Sequence, residues 1–454
     1  MSTRWNDPIT RRRLLSSAAV GAALVTPLRW FASPGLASAV PSARPLPATE
    51  FDAGVPTAWF DLVQRLVQRT PGFSPPVASR AFGCLGVGLY ESLVPGMPDH
   101  VSLAGTLSGL APLPRSDGGV AYHWPSVANA ALADMVRTLF PTAPVDLRAE
   151  IDDLEARLQA DVPPGIRMRS FHRGREVAAA IDAWSRGDGG HEGYLRNFPA
   201  DYVPPVGAGL WVPTAPGFLP ALQPYWGGNR CMALDDSLAC APGAPPAFST
   251  TAGSAFFAEA MEVYDTVNNL TPAQREIALF WSDDPVQTAT PPGHSVSILG
   301  QVLRAQDRSL ADAAVAYARL GIAVCDAFIA CWRVKYTHNL VRPISYIRDV
   351  IDPTWGDPLP VSTPPFPEYT SGHSVQSAAA AEVLSATLGD SAFTDHTHDN
   401  RGFAPRAFAS FAAFAEEAAI SRLYGGIHFR SAIDRGLEHG RCVGAMVAAL
   451  PMRR

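Results

Sequence analysis

The feature that most constrains this 454-residue chain is one apolar stretch, "SLADAAVAYARLGIAVCDAFIACWRVKYTHNLV", Ser309 to Val341. Its apolar residues recur at helical spacing over many turns, and no proline interrupts it before Pro343. A helix that is apolar on nearly every side needs protein neighbours all round it, or a bilayer. Arg319 and Asp326 lie inside its most apolar part, Ala313 to Trp332. The stretch therefore reads as the core helix of a packed protein, not as a membrane span. Helical periodicity also marks "WFDLVQRLVQRT", "SVANAALADMVRTLF", "TPAQREIALFW" and "PRAFASFAAFAEEAAISRLYG". Few segments alternate like strands. The expected fold class is all-α, built from packed helical bundles.

Two regions depart from this pattern. In residues 1–39 an Arg-rich start, "TRRRLL", is followed by a short apolar run and then by Ala37-Ser38-Ala39. That order is expected of an export signal with a small-residue cleavage site. The Arg11-Arg12 pair resembles a bacterial twin-arginine signal, so the expected destination is periplasmic or extracellular. Residues 186–250 are rich in Gly, Pro and aromatics and carry no clear period. They are expected to form a long irregular excursion, a lid or wall over a site.

Export permits disulfides, and Cys231 with Cys240, flanking a polar loop, is the expected pair. Cys325, Cys331, Cys84 and Cys442 sit in apolar runs and are expected to be buried thiols. The formal net charge is −6, and no long basic stripe is present. That composition argues against a nucleic-acid partner.

Three polar segments stand out from the helical background. The first is "CWRVKYTHNLVRP". Lys335 and Arg342 are expected on one helix face with Trp332, and Pro343 is expected to end the helix. The second is "FPEYTSGHS". Three prolines stiffen its approach, Thr370 or Ser371 is expected to cap an Ala-rich helix, and Gly372 allows close approach at the helix N-terminus. The third is "ISRLYGGIHFRSAID". Ser421 and Arg422 close one helix, His428 lies in the loop, and Ser431 with Asp434 is expected to form the capping box of the next helix. Together these segments supply three cations, a hydroxyl, helix-terminal amides and two histidines. That set suits a tetrahedral oxyanion such as phosphate or vanadate. A serine hydrolase is disfavoured, because there is no G-x-S-x-G turn around Ser371.

These residues resemble the superfamily of vanadium-dependent haloperoxidases and type 2 phosphatidic acid phosphatases. Its signature is K-x6-R-P, then P-S-G-H, then S-R-x5-H-x3-D. Lys335 to Pro343 matches the first block. Thr370-Ser371-Gly372-His373 matches the second except at Thr370, and Ser421 to His428 matches the third up to its last position, which is Ala432. The resemblance implies a helical domain of that type over 271–454, carrying the active site, behind an N-terminal helical region, 40–270. It implies that His428 bonds vanadium, or is the nucleophile in a phosphatase. Lys335, Arg342, Ser371, Gly372 and Arg422 would hold the oxyanion, and His373 would act as acid–base residue. With Ala432 in place of the Asp that orients the key histidine, a backbone carbonyl or Asp434 is left to orient His428.

Trp332 and Phe366 occupy positions that look like the aromatic walls of chloroperoxidases. The block "FWSDDPVQTATPPGH" is similar to one in bacterial haloperoxidase-like proteins, with Asp283 or Asp284 expected to tune His373 and His294 expected at the mouth. The resemblance thus favours a vanadate-dependent haloperoxidase using hydrogen peroxide and a halide or small organic substrate. The alternatives are an acid phosphatase working through phosphohistidine and a non-catalytic oxyanion-binding relative. "DHTHD", Asp395 to Asp399, is expected to be a solvated loop rather than a metal site.

Overall fold

The computed structural model describes residues 46–356 and 359–454; the expected export signal lies outside them. Five helices come first: α1 (Gly54–Arg69), α2 (Pro75–Leu93), α3 (Trp124–Leu139), α4 (Val145–Arg157) and α5 (Pro164–Arg186). After an irregular segment come α6 (Ala255–Asn268), α7 (Pro272–Phe280), α8 (Thr290–Ala305), α9 (Leu310–His338), α10 (Pro343–Val350) and α11 (Gly372–Leu388). A short antiparallel pair, β1 (Phe393–Asp395) and β2 (Arg406–Phe408), precedes α12 (Phe411–Tyr424) and α13 (Arg430–Ala448). The all-α expectation holds, with this one pair as the only named strands among the described residues.

The central helix is α9. Ser309 caps it: its hydroxyl accepts from Asp312 N at 3.1 Å, while the Asp312 carboxylate accepts from Ser309 N at 3.3 Å. Its apolar window has a mean hydropathy of 1.7, and 89% of it is buried inside the protein. The packing of α2 and α11 on α9 provides the neighbours that such a helix needs. The two charges in its apolar stretch have separate explanations. Arg319 donates to Thr387 Oγ1 at 3.2 Å near the helix surface. Asp326, fully buried, accepts from the backbone amides of Met232, Ala233 and Leu234 at 2.6, 2.8 and 3.1 Å. One carboxylate thereby ties the irregular segment to the core helix.

Helix α11 is positioned by α13. Gly440 faces Val375 O so closely that a Cβ there would lie 2.1 Å from the oxygen, and Gly436 and Gly444 continue the same stripe. Helices can approach this closely only where side chains are absent.

The disulfide expectation needs correcting. Cys240 is bonded to Cys442 on α13, and Cys231 is a buried free thiol, as are Cys84, Cys325 and Cys331. Cys231 is buried in the core, 5% exposed. The bridge closes a loop with a sequence separation of 202. Chain-entropy arguments give such a loop about 5 kcal/mol, and native bridges typically contribute about 2–5 kcal/mol. A Cys442→Ser variant should therefore lose about 2–5 kcal/mol in denaturant melts. An unchanged midpoint would show that the bridge contributes nothing.

Candidate active site

The site assembles where α9 and α12 end and α11 begins. Lys335 is on the last turns of α9, but Arg342 is not on that helix, contrary to the expectation of a shared face. Helix α9 stops at His338, because Asn339 takes a left-handed conformation (φ 47°). Arg342 is the residue before α10, and Pro343 opens that helix rather than ending the previous one. Ser371 caps α11, its hydroxyl accepting from Ser374 N at 3.3 Å. Gly372 and His373 lie in the first turn, whose amides have no intrahelical acceptor. Arg422 lies near the end of α12, and His428 lies between α12 and α13.

Three cations converge here, and main-chain carbonyls hold each of them. Lys335 Nζ donates to Pro367 O at 3.0 Å and Glu368 O at 2.9 Å. Arg342 donates to Phe366 O and Ile427 O, both at 2.8 Å, and its Nη1 lies 3.2 Å from His428 Nε2. Arg422 donates to Ala278 O at 3.1 Å and Trp281 O at 2.6 Å. The Phe366 ring lies 5.0 Å from Lys335 Nζ and 4.8 Å from Arg342 Cζ, and packs on Trp332 at 4.9 Å. An aromatic face beside two buried cations offsets part of their desolvation.

Gly372, His373, Arg422 and His428 line a cavity of about 390 Å³, whose upper walls are mostly apolar. Lys335, Arg342 and Ser371 are fully buried in the layer next to it. The irregular segment supplies part of the wall through Phe198, Leu219 and Leu222. Leu222 is pinned in place: its N–H donates to Pro365 O at 2.8 Å, and its carbonyl accepts from Trp332 Nε1 and Tyr336 OH at 3.2 and 2.7 Å.

Glu368 orients His428, a role that sequence reasoning missed. His428 Nδ1–H donates to Glu368 Oε1 at 2.8 Å, and Phe429 N donates to the same oxygen at 2.8 Å. With Nδ1 carrying the proton, Nε2 keeps its lone pair. Asp434 takes no part: it is exposed on α13, which starts without a side-chain cap, while Ser431 donates to Glu259 at 2.7 Å. Ala432, at the position of the superfamily Asp, offers only its carbonyl, to Ser371 N at 3.0 Å. The available signal was a carboxylate wedged between Pro367 and the S-G-H turn.

An oxyanion fits this donor set. Arg342 Nη2 and His373 Nε2 are buried without a hydrogen-bond partner. Glu368, the carboxylate facing Lys335 and Arg342, is already engaged by His428, and Arg422 faces Asp283 and Asp284. The pocket thus leaves one guanidinium N–H, on Arg342 Nη2, and one imidazole nitrogen, His373 Nε2, open to a ligand. Burial, with Arg342 beside it, pushes Lys335 down to about 7. Burial pushes Glu368 up to about 8, and burial and Arg422 hold His373 well below the usual range. Oxyanion binding needs Lys335 as ammonium. Affinity for vanadate should fall as pH rises above about 7, by up to about tenfold per pH unit for one coupled proton. A Lys335→Arg variant, which stays charged, should show a flatter profile. Identical profiles for the two proteins would contradict the role given to Lys335.

The residues expected around His373 divide between two places. Asp284 lies beside Arg422 and lines the cavity. Asp283 accepts from His294 Nδ1 at 2.9 Å and from His398 Nε2 at 3.1 Å. It also lines the cavity and acts on His373 through its charge. His294 is not at the mouth. It is buried, with its second ring nitrogen donating to Asp395 at 2.7 Å. Burial opposes its charge, but Asp283 and Asp395 hold it up to about 10. The "DHTHD" stretch splits: His396 is exposed and pairs with Asp399 at 2.9 Å, while His398 turns inward.

Fold and site together define an all-helical protein with a histidine-centred oxyanion pocket. Residues 315–453 match the family model for the VCPO second helical-bundle domain. The structure is similar to the crystal structure of the first bacterial vanadium-dependent iodoperoxidase, with a TM-score of 0.80 and 35% identity, covering 88% of this chain and 96% of that one. It also resembles a bacterial vanadium-dependent chloroperoxidase in its holo form (TM-score 0.63, 15% identity, 84% and 92% coverage) and its apo form (0.61, 15%, 85% and 97%). No curated protein matches the sequence. The chain belongs to the vanadium-dependent haloperoxidase family.

Proposed function

We propose that this enzyme binds vanadate at His428 and uses hydrogen peroxide to oxidise halide, with iodide as its halide. The observation that carries the reading is the pairing of Glu368 with His428 Nδ1, which leaves Nε2 as a lone pair among three buried cations. Vanadate, when bound, supplies Lewis-acid activation of peroxide toward halide without changing oxidation state. The protein does the rest. Lys335, Arg342 and Arg422 neutralise oxyanion charge in a water-poor setting, where such contacts are strongest. Ser371 and the Gly372 amide orient it. His373, neutral and with a free Nε2, takes up and returns protons at the oxyanion edge. The mostly apolar cavity above suits a small organic acceptor.

The 35% identity to an iodoperoxidase supports iodide. Trp332 and Phe366 pack beside the cations and do not by themselves select a halide. The mature chain, loaded with orthovanadate, should oxidise iodide with a higher kcat/KM than bromide or chloride. Bromide or chloride turnover exceeding iodide turnover would overturn the iodide assignment. We further infer export through the twin-arginine-type signal, which the Cys240–Cys442 bridge supports, because disulfides persist in oxidising compartments. Cleavage after Ala39 predicts Val40 as the first residue of the secreted protein.

A further inference from the structure

We propose that Asp283, His294 and His398 bind a divalent metal ion of the zinc class, at a site next to the oxyanion pocket, with Asp283 lining both. Asp283, in the α7–α8 connection, and His294, on α8, are eleven residues apart, and His398 joins them from the β1–β2 connection. All three are buried, and their ligand atoms lie within 4.8 Å of one another. The Asp283 carboxylate reaches His294 Nδ1 at 2.9 Å with one oxygen and His398 Nε2 at 3.1 Å with the other. Around a tetrahedral zinc ion with bonds of about 2.0–2.1 Å, donor atoms sit about 3.3 Å apart, so a small expansion admits the ion. Two imidazoles and one carboxylate are donors that zinc, copper and nickel accept.

Three further observations support a site. His294 Nε2 donates to Asp395 at 2.7 Å, and Asp395 accepts from Thr397 N at 2.9 Å. A carboxylate bonded to the far nitrogen of a ligating histidine is the usual outer partner of a metal-bound imidazole. Thr290 Oγ1 is buried without a hydrogen-bond partner and lines the same small polar pocket, about 180 Å³, as Asp283, His294 and His398. It offers a fourth oxygen, directly or through water. The charge also closes: two carboxylates and two neutral imidazoles balance a divalent ion. Without metal, His294 is an imidazolium whose Nδ1–H donates to Asp283 and whose Nε2–H donates to Asp395. Metal binding forms the bond to Nδ1 and releases the Nδ1 proton to solvent, while Nε2–H stays on Asp395. The ion would fasten the α7–α8 connection, whose Trp281 carbonyl holds Arg422.

The test uses the full mature chain, stripped with chelator and equilibrated with Zn2+ or Co2+ alone. The expected result is one Zn2+ per chain retained on gel filtration, a tetrahedral-type visible spectrum with Co2+, and a higher melting temperature with metal. His398→Ala should weaken Zn2+ binding at least tenfold, and His396→Ala, two residues away and exposed, should leave it unchanged. If His398→Ala does not fold, His398→Gln replaces it in the same comparison. Substoichiometric zinc in the wild type, or equal binding by the His398 and His396 variants, would overturn the proposal.

Discussion

A His428→Ala variant is expected to fold but to lose vanadate-dependent halide oxidation by about a thousandfold or more, in the range found when the central group of a catalytic unit is removed. Nε2 is the lone pair that Glu368 and Arg342 jointly direct into the site. Removing the ring takes away the one protein atom placed to bond the oxyanion centre. The three cations stay, held by carbonyls of Pro367, Phe366 and Trp281 among others. The variant should therefore still bind phosphate and vanadate weakly, as ions. Stability should fall by about 1–3 kcal/mol, the usual cost of leaving a buried partner unpaired. Full halide oxidation in this variant would remove His428 from the centre of the site.

The second large effect is expected at Glu368. Glu368→Ala leaves His428 Nδ1 and Phe429 N without an acceptor and removes a carboxylate from among buried cations. Above about pH 8, where Glu368 is ionised, breaking a buried charge arrangement by deleting one partner costs about 3–5 kcal/mol. Glu368→Gln separates orientation from charge, since its amide oxygen can accept the same two hydrogen bonds. Losing such an outer carboxylate typically costs 10–100-fold in affinity, and the Gln variant should lose about that much for vanadate. Unchanged vanadate affinity in Glu368→Gln would show that geometry alone, without the carboxylate charge, sets His428.

The fold was legible because α9 announces itself. A long apolar run with two charges has few homes in a soluble protein, and Asp326 finds its home in three backbone amides. The spacing of Lys335, Ser371, Arg422 and His428 was legible as chemistry, because cations, a helix N-terminus and histidines serve one kind of ligand. Partners joined only by the tertiary fold were not. Glu368 reaches His428 across 60 positions, and Cys240 reaches Cys442 across 202. The break after His338 depends on one residue taking a positive φ, a conformation that Asn tolerates but does not require. His294 stood out beside Asp283 in one block, but its second partner, Asp395, lies 101 positions away and fixes its burial.

The most direct measurement is a paired assay on the mature chain titrated with orthovanadate: iodide oxidation by hydrogen peroxide, and hydrolysis of an aryl phosphate without vanadate. The expected result is iodide oxidation that saturates with vanadate and is suppressed by excess phosphate competing for the same pocket, with phosphate-ester release far slower. Robust ester hydrolysis, with no oxidation of any halide at any vanadate concentration, would contradict the account and make the site that of a phosphatase.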